Sequence, residues 1–146
     1  MIEKELVMQI KEANQKIINI MQKKVDDYEL TLGLLHLLMT IMHKPDTTQK
    51  ELAKEMRFTE GAMSMSVKRL LKLGLIEQVQ CQSDGRCNRL VVTEKGKKIA
   101  KDYKHYLYNI IQNVFKEFNV EELEMIHGFL MKINSNLDQV LSDIND

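Results

Sequence analysis

The sequence predicts a mainly α-helical fold with one small β-hairpin near its middle, and three observations carry that prediction. Apolar residues recur at steps of three and four along most of the 146 residues, with one proline and six glycines to interrupt them. Residues 48–73 divide into two short helical patterns, each opened by a threonine. Directly afterwards Ile76, Val79 and Cys81 lead into Gln82-Ser83-Asp84-Gly85, and Leu90-Val91-Val92 lead out, which makes two strand-like runs around an Asp-Gly turn.

Taken in order, residues 2–24 form a helix, because Leu6, Ile10, Ala13, Ile17 and Ile20 or Met21 share one face. Asp26, Asp27 and Tyr28 interrupt it. Residues 31–43 form a second helix, apolar on nearly every side and therefore expected deep in the core. Lys44-Pro45-Asp46 ends it, since proline disfavours helical geometry in the residue before it. Thr48 and Glu51 have the spacing of a capping box, and Leu52, Ala53 and Met56 give the helix they open an apolar face. After Arg57-Phe58, Thr59 can cap a further helix whose apolar positions are Met63, Val67, Leu70 and Leu71. Gly74 supplies a left-handed stop, and the chain passes straight into the first strand.

Helix, short turn, helix, then a hairpin with Arg86, Asn88 and Arg89 around its tip is the order of a winged helix-turn-helix. Thr93 can cap a long helix to about residue 118, with Ile99, Tyr103, Tyr106, Ile110 and Val114 along one side. Asn119 with Glu122 restarts a last helix. There Leu123, Ile126, Leu130, Ile133, Leu137, Val140 and Ile144 alternate steps of three and four, a coiled-coil-like seam.

Composition bounds the function. The length suits one domain, on a prior of roughly 100 to 200 residues each. The longest apolar run, residues 32–41, falls short of the ~18 residues of a membrane span. Glu3 and Glu5 stand where a signal peptide would be basic, so a cytoplasmic location is expected. Formal net charge is zero, but residues 44–104 hold 14 Lys and Arg against 8 Asp and Glu, so the centre is basic and both ends are acidic. That segregation coincides with the winged segment, as phosphate binding requires.

The wing segment Asp84-Gly85-Arg86-Cys87-Asn88-Arg89-Leu90-Val91-Val92-Thr93-Glu94-Lys95-Gly96 resembles the wing signature of the MarR family of bacterial transcriptional regulators. That signature is an Asp-x-Arg followed, after a short strand, by Leu-Thr-x-x-Gly, and here Val92 stands in the leucine's place. Leu70-Leu71-Lys72-Leu73-Gly74-Leu75-Ile76 resembles the end of the family's recognition helix, and the likeness in helix order covers the whole chain. The resemblance implies that Asp84 pairs with and positions Arg86, and that Arg86 reaches a minor groove. Met65 departs from the pattern, because many relatives carry arginine there.

The expected fold is thus a winged helix-turn-helix lobe over about residues 31–95, with dimerisation helices over about 1–25 and 97–145. The expected activity is sequence-specific binding of double-stranded, pseudo-palindromic DNA by a homodimeric repressor. Residues 60–73 would enter the major groove, Gly61 and Ala62 permitting close approach and Ser64, Met65, Lys68 and Arg69 facing the bases. Ser83, Asp84, Arg86 and Arg89 would serve the wing. The rival reading is a winged helix used as a protein-interaction module that binds no DNA.

No catalytic or cofactor-binding constellation is visible, so an enzyme is not expected and no cofactor is assigned. His36, His43, His105 and His127 are scattered, and His36 and His43 are read as core histidines. Cys81 and Cys87 are a candidate redox pair, or two incidental cysteines. An Asp84-Gly85 turn would set Cys81 opposite Asn88, whereas a five-residue loop would set the cysteines opposite each other. Met39, Met42, Met63 and Met65 would suit an adaptable apolar pocket for a small-molecule effector.

Overall fold

The computed structural model describes residues 1–80 and 88–146. Six helices and one hairpin follow in the order α1 (Ile2–Asp26), α2 (Leu32–His43), α3 (Gln49–Met56), α4 (Glu60–Lys72), β1 (Ile76–Gln80), β2 (Asn88–Val92), α5 (Glu94–Val114) and α6 (Val120–Asn145). The chain divides into two compact units, Met1–Leu107 and Tyr108–Asp146, and α5 runs from the first into the second.

Local capping chemistry sets most of the boundaries. The hydroxyls of Thr31, Thr48 and Thr59 accept from the backbone N–H of Leu34, Glu51 and Ala62 at 3.1, 3.2 and 3.0 Å. Each thereby satisfies one of the free donors at a helix start. At α6 the full reciprocal box forms: Asn119 accepts from the N–H of Glu122, and the Glu122 carboxylate accepts from the N–H of Asn119.

Two helix ends depend on left-handed residues. At the end of α4, Gly74 takes φ 74°, and the N–H groups of Gly74 and Leu75 return to the carbonyls of Leu71 and Leu70. At the end of α3 the left-handed residue is Arg57, at φ 56°. The sequence points to no such position there, since an L-residue carries a steric cost of roughly 1–2 kcal/mol in that region.

The core of the first unit is built where the apolar periodicities meet. Leu35, Leu37, Leu38 and Ile41 of α2 are buried with Leu52, Met63, Val67, Leu70, Leu75, Ile76 and Leu90. So α2 is the central helix, as its apolar circumference implies. His36 and His43 are exceptions to that expectation: both are exposed, because α2 still keeps a narrow side to solvent. The expected core histidines are therefore surface residues.

The hairpin pairs Ile76 with Val92 through Gln80 with Asn88, antiparallel. Asn88 therefore faces Gln80 rather than Cys81, and the tight Asp84-Gly85 register does not hold along the ladder. The physical reason is burial: Ile76, Leu90 and Val92 all turn to the core, and a one-residue slip would put one strand's apolar set on the wrong face. Residues 81–87, with the expected Asp84-Gly85 turn, lie outside the described residues.

The strand exit is joined to two helices at once. The Thr93 hydroxyl donates to the Gly74 carbonyl at 2.7 Å and accepts from the Gly96 N–H at 3.1 Å, which caps α5. The Thr93 N–H donates to the Leu75 carbonyl at 3.0 Å, and the Lys95 ammonium donates to the Leu73 carbonyl at 2.9 Å. A Cβ on Gly96 would lie 2.3 Å from the Leu75 carbonyl oxygen and 2.7 Å from Val92 Cγ1.

In the second unit α5 ends at Val114, four residues before the periodicity suggests, and a turn with Phe115 edge-on to Phe118 leads to α6. Asn119 takes extended backbone to cap α6, at ψ 169°, so the helical geometry stops before it. No described residue of α6 is buried, and Leu130, Leu137, Val140 and Ile144 of the seam are exposed.

The approach of Gly96 to Leu75 yields a direct test. Gly96→Ala should destabilise the protein by about 3 kcal/mol or more, because the obstacle is backbone and cannot rotate aside. Urea unfolding monitored by circular dichroism measures this, and an unchanged midpoint would show that the joint has slack.

Candidate nucleic-acid interface

α4 is anchored by Met63, Val67 and Leu70, each 2% exposed or less, and these three define the face it buries. The opposite face is open to solvent. Gly61, Ala62, Met65, Lys68 and Arg69 are exposed and Ser64 is half-buried, so the six α4 residues singled out from sequence come to one accessible side. Met65 is 74% exposed, an unusual position for a large apolar side chain. A Cβ on Gly61 would meet nothing within 4 Å, so the protein's own packing gives no reason for glycine there.

The hairpin leaves the end of α4 through Gly74 and Leu75, and its register carries Val79 and Arg89 side by side away from the core. Val79 is 38% exposed, and Arg89 donates from Nη1 to Asp46 Oδ1 at 3.1 Å. That bond ties β2 to the α2–α3 connection. Ser83, Asp84, Arg86, Cys81 and Cys87 lie outside the described residues. Asp46 and Arg57 were not singled out from sequence. Nothing local marks Asp46, and Arg57 escapes notice because arginine is seldom the left-handed residue at a helix end.

The four methionines do not form one pocket. Met63 is fully buried while Met65 points to solvent, and Met39 and Met42 are only half-buried. An open cleft of about 520 Å³ instead lies elsewhere in the first unit, lined by Tyr28, Lys98, Ile99, Lys101, Asp102 and His105. At its edge the Tyr28 hydroxyl donates to Asp102, and Lys24 reaches the same carboxylate at 3.3 Å. The Lys24 ammonium also sits 5.5 Å from the Tyr28 ring centre and 5.2 Å from that of Tyr106. The Tyr28 hydrogen bond, then the one from Lys24, holds Asp102 below the usual carboxylate range. Burial, then the bond to Asp102, pushes the Tyr28 phenol up.

All four histidines are exposed, and among the described residues no group of three His, Cys, Asp or Glu could hold a metal ion. Among the same residues no helix is long and apolar enough to cross a membrane.

A two-helix reading head with its buried face inward, an exposed basic outer face and a hairpin leaving directly from its end defines the winged helix-turn-helix class. Comparison with known proteins narrows this. The sequence profile of the MarR family matches residues 30–86. The transcriptional regulator BilQ of Clostridium symbiosum is 32% identical over 104 residues, which cover 71% of this chain and 72% of BilQ. Among solved structures, MepR, a transcription regulator of a Staphylococcus aureus multidrug efflux pump, aligns with a TM-score of 0.75 at 19% identity, over 88% of this chain and 96% of MepR. FabT of Streptococcus pneumoniae, solved in complex with DNA, aligns with a TM-score of 0.74 at 23% identity, over 92% and 99% of the two chains. The protein belongs to the MarR family of winged-helix transcriptional regulators.

The Tyr28–Asp102 contact is open to titration. Asp102 has a lowered folded pKa, so its contribution to stability is present above the unfolded value and is lost as pH falls through the folded value. Tyr28→Phe removes the first cause of that shift. Carboxyl-detected NMR titration should then show Asp102 moving back up toward the ordinary range; an unmoved value would mean that Lys24 alone holds it down.

Proposed function

We propose that the protein is a homodimeric repressor that binds a pseudo-palindromic site in double-stranded DNA. The observation that carries this reading is α4: it buries one face completely and presents Gly61, Ala62, Ser64, Met65, Lys68 and Arg69 on the other. In the major groove Gly61 and Ala62 let the backbone come close, while Lys68 and Arg69 supply positive charge to phosphates and base edges. Met65 offers an apolar contact suited to a thymine methyl group. Ser83, Asp84, Arg86 and Arg89 serve the wing, with Arg86 entering the flanking minor groove, where narrow A/T-rich tracts attract arginine. Arg57 at the turn between α3 and α4 adds a cation beside the backbone.

The winged lobe occupies about residues 31–95, and about 1–25 and 97–145 dimerise. Support comes from exposed apolar side chains on α1, where Leu6, Ile10 and Ile17 line one face, and along the whole of α6. Two heads related by a twofold axis meet major grooves about 10 to 10.5 bp apart, or a multiple of that.

The input to this repressor is a small molecule or a thiol signal. A ligand of the cleft beside Tyr28 would bear on α5, the helix that leads from the winged lobe toward the second unit. The Cys81/Cys87 pair would act on the wing directly, and the observed ladder is in the register that a five-residue loop between them would continue. If thiols are the sensor, mild oxidation changes DNA affinity in the wild type. Retained sensitivity in a Cys81→Ser, Cys87→Ser double variant would exclude this pair and leave the ligand route.

The function is tested by selection from random duplexes followed by binding across a salt series. A spaced imperfect palindrome should emerge, bound by two chains per site in sedimentation. Arg86→Ala should weaken binding and abolish the preference for A/T-rich flanks without shifting the melting temperature. No salt-dependent binding to any duplex would instead favour a protein-interaction module.

A further inference from the structure

The α2–α3 connection is held on two sides. Lys44 pairs with Glu55 of α3, and Asp46 accepts from Arg89 of β2 across 43 residues of sequence. The second pair adds little to folding stability, since the Asp46 side chain is 84% exposed and the Arg89 side chain 47%. Its location is more informative. Arg89 belongs to the strand that returns from the wing, and Asp46 lies three residues before the start of α3.

A lone carboxylate there would oppose phosphate binding by a lobe in which basic residues outnumber acidic ones. Paired with Arg89, it does something else. A guanidinium carries five N–H donors in a rigid planar fork, and one terminal nitrogen, Nη1, is directed at Asp46. Half of the side chain remains open to solvent, so donors are left for a second oxyanion. An arginine bonded through one nitrogen to a carboxylate has fewer rotamers open to it before any phosphate arrives, and its charge-assisted bonds then cost less ordering.

We propose that Asp46 is a positioning residue for DNA binding: it orients Arg89 so that the free edge of the guanidinium takes a backbone phosphate beside the wing. This rests on the DNA-binding reading above and adds to it a specific division of labour, with Arg89 touching the phosphate and Asp46 acting only through Arg89.

The experiment uses the full chain and a duplex selected by the wild type, with affinity measured from low to high salt. Arg89→Gln should lower affinity and reduce the slope of log K against log salt by about one per half-site. Asp46→Asn should also weaken binding, by roughly twofold to fivefold, while leaving the slope near that of the wild type. The sign is diagnostic, because simple removal of a negative charge from a DNA-facing lobe tightens binding. Asp46→Glu should recover part of the loss, and Asp46→Asn should cost nothing further in an Arg89→Gln background. Tighter or unchanged binding by Asp46→Asn would overturn the proposal, as would an equal loss in that background. Both side chains are exposed, so melting temperatures should not move, and a large drop would overturn it in favour of a structural role. Failure of the wild type to bind any duplex would instead overturn the DNA-binding reading and this division of labour with it.

Discussion

The contact between Gly96 and the Leu75 carbonyl joins the end of α4 and the root of the hairpin to the start of α5. Leu75 follows the left-handed Gly74 that ends α4, and its carbonyl already accepts from the Thr93 N–H. Gly96 begins the first turn of α5 and comes so close that any Cβ would collide with that oxygen. Thr93 closes the joint, since its one hydroxyl donates to the end of α4 and accepts from the start of α5. Recognition helix, strand exit and long helix therefore share one set of backbone groups. A Thr-x-x-Gly spacing has a mechanical meaning here: threonine supplies a group that is both donor and acceptor, and glycine removes the atom that would hold the segments apart.

That joint also fixes how the end of α4 and the wing root meet α5. The angle between α4 and α5 is set by short hydrogen bonds and a backbone contact, all of which resist small rotations. The cluster of Lys24, Tyr28 and Asp102 acts on the same helix two turns further on, by fixing the α1–α2 turn to it. Both sets of contacts hold the N-terminal part of α5 within the first unit.

The parts of this arrangement that sequence reveals are the local ones. Thr31, Thr48, Thr59, Thr93 and Asn119 mark helix starts because the capping acceptor and the donor it satisfies lie within three residues. Met63, Val67 and Leu70 likewise reveal the buried side of α4, and with it the outward side that holds all six candidate DNA contacts on that helix. Pairs brought together by folding leave no such trace. Asp46 and Arg89, or Tyr28 and Asp102, meet only because strands and helices pack in a particular way. His36 and His43 mislead for a related reason: apolar neighbours in sequence show that α2 is central, but not which narrow side of it stays wet. Arg57 is hidden by chemistry, since arginine rarely serves where a left-handed residue is needed.

The last helix shows how the structure extends the pattern from which it was read. A two-stranded coiled coil needs only the seam of Leu123, Ile126, Leu130, Ile133, Leu137, Val140 and Ile144, and the other sides of such a helix are polar. Here Val120, Met125, Phe129, Met131 and Leu141 are exposed as well, several of them beyond that seam. An apolar surface so broad exceeds what a single partner helix covers, and large contiguous apolar patches are rare on monomers. A bundle in which α6 is packed on more than one side meets the requirement, and α1, with its own exposed Leu6, Ile10 and Ile17, offers a second such surface. For the proposed dimer, the exposed apolar surface of α6 is thus broader than a two-stranded zipper needs. In such an assembly the separation of the two reading heads is governed by many side-chain contacts at once, which favours discrete alternative packings over continuous bending.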